Sequence, residues 1–224
     1  MTSQYGQDRF VVDRLGGMRN GYFLDSGASD GLRASNTRLL ETSYGWTGIC
    51  VEPNADLYAR LVRNRRCTCL DCCLYDREGS VEFLEAGTVG GILAEYDPSL
   101  LRLARQGLRV ADGDDPPTVP KTARTIRSVL DQCRAPAVID YWSLDTEGSE
   151  LALLRSFPFD AYSFRVLTVE HNWLPVRTEI RAFLEARGYV WAQEAGCDDC
   201  YVRADIPRDT PPWRSHARRR RTAG

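Results

Sequence analysis

The chain has 224 residues, 43% hydrophobic and 27% charged, and its 29 basic residues nearly balance 31 acidic ones for a formal net charge of −2. Such a composition suits one α/β-sized unit with a sizeable core and excludes disordered, collagen-like and coiled-coil chains. The even charge balance sets up no global field toward nucleic acid or an anionic membrane.

No run approaches the roughly 18 apolar residues that span a bilayer. Met1 leads into polar Thr2-Ser3-Gln4 rather than a signal segment. A soluble, intracellular protein without a membrane partner is expected. Arg214 and Arg218 to Arg221, behind Pro211-Pro212, read as a flexible basic tail over 207–224. Weak nucleic-acid contact or nuclear import by that tail is the alternative to a merely solvated terminus.

In chain order, Phe10, Val11 and Leu15 predict a short helix closed by Gly16-Gly17. Tyr22 to Asp25 reads as a buried strand entering the turn Ser26-Gly27-Ala28-Ser29-Asp30-Gly31, with a helix at 35–43 beyond it. Thr47 to Glu52 is a second strand, stopped by Pro53-Asn54, and Leu57, Leu61 and Val62 mark the next helix. A single third strand is predicted over 67–74, then an alternating strand over 80–84. Residues 86–123, rich in glycine and proline, read as an irregular insertion with a helical piece at 98–106, the kind of segment that serves as a lid over a substrate. Regularity returns with helices at 125–133, 149–156 and 175–187 and strands at 138–145, 165–170, 189–193 and 199–203. This alternation predicts one α/β domain over 1–206, a mostly parallel sheet with helices on both faces, binding its ligand at the carboxyl ends of the strands.

Those ends are acidic: Asp25, Glu52, Asp71, Asp145 with Glu147, and Glu170. Carboxylates gathered on one edge are costly unless a ligand or ion supplies positive charge and donors. The first turn lacks the third glycine of a dinucleotide fingerprint, which argues against a nucleotide-dependent oxidoreductase. Glu52 suits the paired hydroxyls of a ribose. Eight cysteines without a secretory signal read as free thiols; Cys67, Cys69, Cys72 and Cys73 have zinc-like proximity, but neighbours on a strand alternate faces and cannot converge on one ion. Trp46, Trp142, Trp173 and Trp191 read as core or rim aromatics.

Ser3-Gln4-Tyr5-Gly6-Gln7-Asp8, Phe23-Leu24-Asp25-Ser26-Gly27-Ala28-Ser29-Asp30-Gly31, Ser35-Asn36-Thr37, Val51-Glu52-Pro53-Asn54, Leu144-Asp145-Thr146-Glu147-Gly148-Ser149-Glu150 and Val169-Glu170-His171-Asn172 occur in that order. Together these blocks resemble the FkbM-type methyltransferases, class I enzymes that use S-adenosylmethionine. The resemblance implies a seven-stranded Rossmann-like sheet and O-methyl transfer to a sugar, glycan or other polyhydroxylated acceptor. It implies that Asp25, Gly27, Ser29, Asn36 and Gln7 surround the methionine end of the cofactor. Glu52 would hold the ribose, and Asp71 and Cys72 the adenine. An asparagine is more usual in the family where Asp71 stands.

Two mechanisms stay open. In one, Asp145, Glu170 and His171 hold Mg²⁺ or Mn²⁺ and Glu147 takes the acceptor's proton. In the other Glu147 or His171 is the base without a metal. A methyltransferase fold kept for binding after loss of catalysis is the remaining alternative.

Overall fold

The computed structural model describes residues 3–111, 114 and 116–206, so the basic segment 207–224 lies outside the described residues. Helix α1 (Gln7–Arg14) precedes strand β1 (Tyr22–Ser26), and α2 (Arg38–Tyr44), β2 (Thr47–Val51), α3 (Ala55–Asn64) and β3 (Thr68–Leu70) follow. The chain then builds a second sheet from β4 (Cys73–Tyr75), β5 (Gly79–Leu84), β6 (Gly91–Ile92) and β7 (Thr118–Thr125), with α4 (Pro98–Gly107) between the last two. It returns through α5 (Ile126–Gln132), β8 (Val138–Leu144), α6 (Glu150–Ser156), β9 (Ser163–Glu170), α7 (Val176–Glu185), β10 (Tyr189–Ala195) and β11 (Asp198–Arg203).

The main sheet has seven strands in the order β10-β11-β9-β8-β1-β2-β3. All its pairs are parallel except those of β11, which runs antiparallel to β9 and β10. Alternation along the central strands divides the core. Leu24, Ile49, Trp142 and Leu167 pack with Val129, Leu153 and Ile180 of α5, α6 and α7. Their neighbours Phe23, Cys50, Tyr141 and Val166 pack with Val11, Leu40 and Leu61 of α1, α2 and α3. A period-2 strand pattern between two helical layers is what a doubly wound sheet requires.

Local signals set the element ends. Asn54 Oδ1 accepts from the backbone N–H of Asp56 and of Leu57, each at 3.1 Å, and so caps α3. Asp97 does the same for Ser99 at α4, with Pro98 at the first helical position. Two expectations are revised. The single strand over 67–74 is two: β3 stays in the main sheet, the chain turns at Asp71-Cys72, and β4 joins the second sheet. Residues 118–123, at the end of the segment read as irregular for its glycines and prolines, belong to β7 (Thr118–Thr125). Pro120 is tolerated because β4 pairs with β7 only over 123–125, so at Pro120 a single ladder, to Glu82 of β5, is at stake.

Behind the edge of β1 lies a buried polar knot. Arg65 is 5% exposed and donates to Glu41 Oε2 at 2.6 Å, Thr37 Oγ1 at 2.9 Å and Ser35 Oγ at 3.2 Å. Thr37 in turn donates to Asp25, whose Oδ2 is 4.0 Å from the guanidinium. Truncating one partner of such a set strands the remaining charges. Arg65→Ala is therefore expected to lower the unfolding free energy by about 3–5 kcal/mol in urea titrations; a loss below about 1 kcal/mol would mean that solvent reaches these carboxylates.

Candidate functional site

In an open sheet the crevice forms where neighbouring strands send their connections to opposite sides, and here that point lies between β1 and β8. Asp145 N donates to Ser26 O at 3.1 Å, tying the two strand ends together. The turn after β1 then passes so close that a Cβ on Gly27 would sit 1.7 Å from the Asp145 carbonyl oxygen; Gly27 also has φ +83°. Only glycine fits there. Above this contact opens a cavity of about 1040 Å³, large enough for a nucleoside-sized ligand with room to spare.

Most of the residues expected at a cofactor line this cavity: Gln7, Asp25, Gly27, Ser29, Asn36, Glu52 and Cys72. Ser29 N donates to Glu52 Oε2 and Asn54 N to Glu52 Oε1, both at 2.8 Å, so backbone amides fix the carboxylate at the end of β2. Burial still pushes the Glu52 carboxyl up to about 7. Asn36 Nδ2 donates to Ser143 Oγ at 2.9 Å, while its Oδ1 is buried without a partner, an acceptor waiting for a donor. Burial likewise raises the Asp25 carboxyl, against the pull of Arg65. Asp71 departs from expectation. It is exposed at the turn out of β3 and, although its charge contributes to the raised Glu52 pKa, it does not line the cavity.

The acid turn between β8 and α6 is held by Glu150. Its Oε1 accepts from Thr146 N at 2.7 Å and from Thr146 Oγ1 at 2.9 Å, and its Oε2 from Gly148 N at 3.0 Å. Glu147 adopts φ +58°, and Gly148 at φ +124° lies where a Cβ would meet the Glu95 carbonyl oxygen at 2.5 Å. The segment between β6 and α4 is thus packed directly onto the acid turn. Asp145, Glu147 and Glu170 bring one carboxylate oxygen each within 4.8 Å of one another. Burial first, then mutual repulsion, raises the Asp145 and Glu170 carboxyls well above the usual range, and burial with the neighbouring Glu150 charge lifts Glu147 to about 7. Three convergent hard oxygens can share protons or hold a divalent cation.

His171 does not join them. It follows Glu170 directly at the end of β9, so its side chain takes the other face of the sheet. There its ligand atoms group with Glu194 and Asp199, its Nε2 is 4.0 Å from Asp199 Oδ1, and it does not line the cavity. Desolvation and the nearby Arg177 lower its pKa. Its expected roles as base and as metal ligand beside Asp145 are therefore withdrawn.

Asp198 is the cavity acid that strand-end reasoning missed. Parallel strands bring their carboxyl ends to this edge, but β11 is antiparallel and brings its amino end, setting Asp198 opposite Glu170. The adjacent acids after the Gly196 turn, Asp198-Asp199, were the available signal. Asp198 Oδ2 accepts from Gln7 Nε2 at 2.8 Å, which is how the N-terminal segment is drawn to the site. Residues 86–90, Ile92, Tyr96, Leu100, Leu103 and Ala104 form a further, largely apolar part of the wall.

Residues 25–191 match the family model described as the methyltransferase FkbM domain. Among solved structures, the chain is similar to precorrin-6y C5,15-methyltransferase from Geobacter metallireducens at 10% identity and a TM-score of 0.43, covering 87% of this chain and 84% of that one. It is also similar to the human methyltransferase 10 domain containing protein at 10% identity and a TM-score of 0.43, covering 87% and 78%. No curated protein matches it. No helix among the described residues is long and apolar enough to cross a membrane.

The clustered acids make a stability prediction. Their folded pKa values lie above their unfolded ones, so their contribution is fully present below about pH 4 and is lost as pH rises through the folded values, about 7 for Glu147. In EDTA, wild-type protein should lose stability from pH 5 to 8, and Glu170→Gln should lose less, gaining about 1–2 kcal/mol over wild type at the upper end. Parallel pH slopes in thermal unfolding of the two proteins would contradict the shared field.

Proposed function

The chain belongs to the methyltransferase FkbM domain family, and from that premise we propose that it moves the methyl group of S-adenosylmethionine to a hydroxyl oxygen of a sugar, glycan or similar polyhydroxylated acceptor. The observation that carries this reading is the convergence of Asp145, Glu147 and Glu170 beside the Gly27 turn.

The cavity fits the cofactor on its own chemistry. The unpartnered Asn36 Oδ1 and the acids Asp25 and Asp198 suit an ammonium donor, and the bare backbone at Gly27 leaves room for a close approach. Glu52, its carboxylate already oriented by two amides, would take the ribose hydroxyls, and Cys72 would border the adenine. When bound, the cofactor supplies a methyl group on a positively charged sulfur, which takes back the bonding electron pair as the methyl leaves. Negative side chains around that charge aid binding, and the alignment they enforce supplies much of the rate.

Glu147 is the general base. A carboxylate lifted to about 7 is matched to removing a hydroxyl proton near neutrality, and its φ of +58° is the kind of strain found where a side chain is aimed at a reaction. Asp145 and Glu170, whose carboxyls burial pushes well above the usual range, orient the acceptor through hydrogen bonds. On a second reading, favoured by the three-oxygen cluster, Asp145 and Glu170 would hold Mg²⁺ or Mn²⁺, which would supply Lewis acidity at the acceptor hydroxyl, and Glu147 would take the proton. The wall from 86 to 104 selects the acceptor, since it rests on the acid turn through Gly148 and lines the same cavity.

Calorimetry with S-adenosylhomocysteine is expected to give one site per chain, weakened about ten-fold by Glu52→Gln; unchanged affinity would remove Glu52 from the ribose role. In EDTA, kcat/KM for transfer of labelled methyl to methyl hexopyranosides should rise with pH up to about 7 and then level. Glu147→Gln should lower kcat by about 10²–10⁴ while leaving S-adenosylhomocysteine affinity intact. Activity that returns only with Mg²⁺ or Mn²⁺ would select the metal reading, and a flat pH profile would exclude Glu147 as base.

A further inference from the structure

Trp173 is 65% exposed, the most exposed large apolar side chain among the described residues, and it lines the same cavity as Asn172, Glu170 and Glu147. An indole turned to water beside a reactive acid cluster forgoes burial that the fold could otherwise use. The backbone that presents it is strained: Asn172 and Trp173 are consecutive non-glycine residues at φ +44° and +56°.

This strained pair is clamped. Trp173 N donates to His171 Nδ1 at 3.0 Å, His171 N donates to Cys197 O at 2.8 Å, and Leu174 N donates to His171 O at 2.7 Å. The imidazole is 3% exposed and meets the indole edge-on, with ring centroids 6.2 Å apart and planes at 78°. Because Nδ1 accepts, the ring carries its proton on Nε2, toward Asp199. His171 faces away from the acids yet fixes the exposed indole that shares their cavity.

We propose that Trp173 is the platform for the acceptor's pyranose ring and that His171 is the positioning residue that holds it, an inference that rests on the methyltransferase reading above. The flat face of a pyranose is made of C–H groups whose partial positive charge suits the negative face of an indole. Its hydroxyls project from the ring's rim, where a stacked sugar would find the Asn172 amide and the carboxylates of Glu170 and Glu147. A flat aromatic ring would leave those polar groups without donors, so the surroundings favour the polyhydroxylated ring.

The test uses the full chain loaded with S-adenosylhomocysteine, with binding of that ligand checked first by calorimetry; failure there would overturn the methyltransferase reading itself. Methyl α-glucopyranoside, α-mannopyranoside and α-galactopyranoside, with p-cresol as the flat aromatic control, are then scored for shielding tryptophan fluorescence from acrylamide. At least one pyranoside is expected to shield it and p-cresol is not. Trp173→Ala should abolish the shielding and raise the pyranoside KM about ten-fold, with S-adenosylhomocysteine affinity changed less than about two-fold. Trp173→Phe should recover part of the loss. His171→Leu should match Trp173→Ala. His171→Asn should restore the sugar's KM, because an asparagine oxygen reaches the backbone N–H two residues on. The proposal is overturned if no pyranoside shields the loaded protein, if p-cresol alone does, or if His171→Asn is as impaired as His171→Leu.

Discussion

The approach of the Gly27 turn to the Asp145 carbonyl oxygen is the constraint on which the site depends. Two parallel strands that diverge at their carboxyl ends leave a crevice, and the depth of that crevice is set by how closely the two exiting turns can meet. A methyl group at Gly27 would sit 1.7 Å from the oxygen, so any other residue would wedge the strand ends apart. The contact joins the half of the cavity that holds Asp25 and Glu52, built on β1 and β2, to the half that holds Asp145, Glu170 and Asp198, built on β8, β9 and β11.

The acid half stores free energy that folding alone does not reward. Asp145, Glu147 and Glu170 converge in a desolvated place, and their raised pKa values record that burial first and the neighbouring acids second. Glu150 keeps the turn from relaxing by accepting three hydrogen bonds from it, and the close packing of Gly148 against Glu95 bars another path of escape. Arg65 does comparable service behind Asp25. Sites that oppose stability in this way are recognisable because their surroundings are over-determined.

Much of this was readable from local sequence. Strand ends at Asp25, Glu52 and Asp145 are marked by short apolar runs that stop at an acid and a turn, and each of these residues lines the cavity. What failed was information that depends on pairing. His171 was grouped with the acids because it is adjacent in sequence, but one residue along a strand reverses the face. Asp198 was overlooked because an antiparallel strand presents its start, not its end, at the ligand edge. The family resemblance puts Asp71 with the adenine, whereas the chain changes sheets there and leaves Asp71 exposed outside the cavity lining. The prolines around β7 hid a strand whose tolerance of Pro120 rests on the short reach of its neighbour.

A crystal structure of the full chain grown with S-adenosylhomocysteine addresses the central claim most directly. The account calls for the ligand in the crevice between β1 and β8, with its ribose hydroxyls on Glu52 and its sulfur on the side of the Gly27 turn that faces Asp145 and Glu147. A ligand seated on any other part of the surface, or a crevice closed by side chains with the acids turned out to solvent, would contradict it.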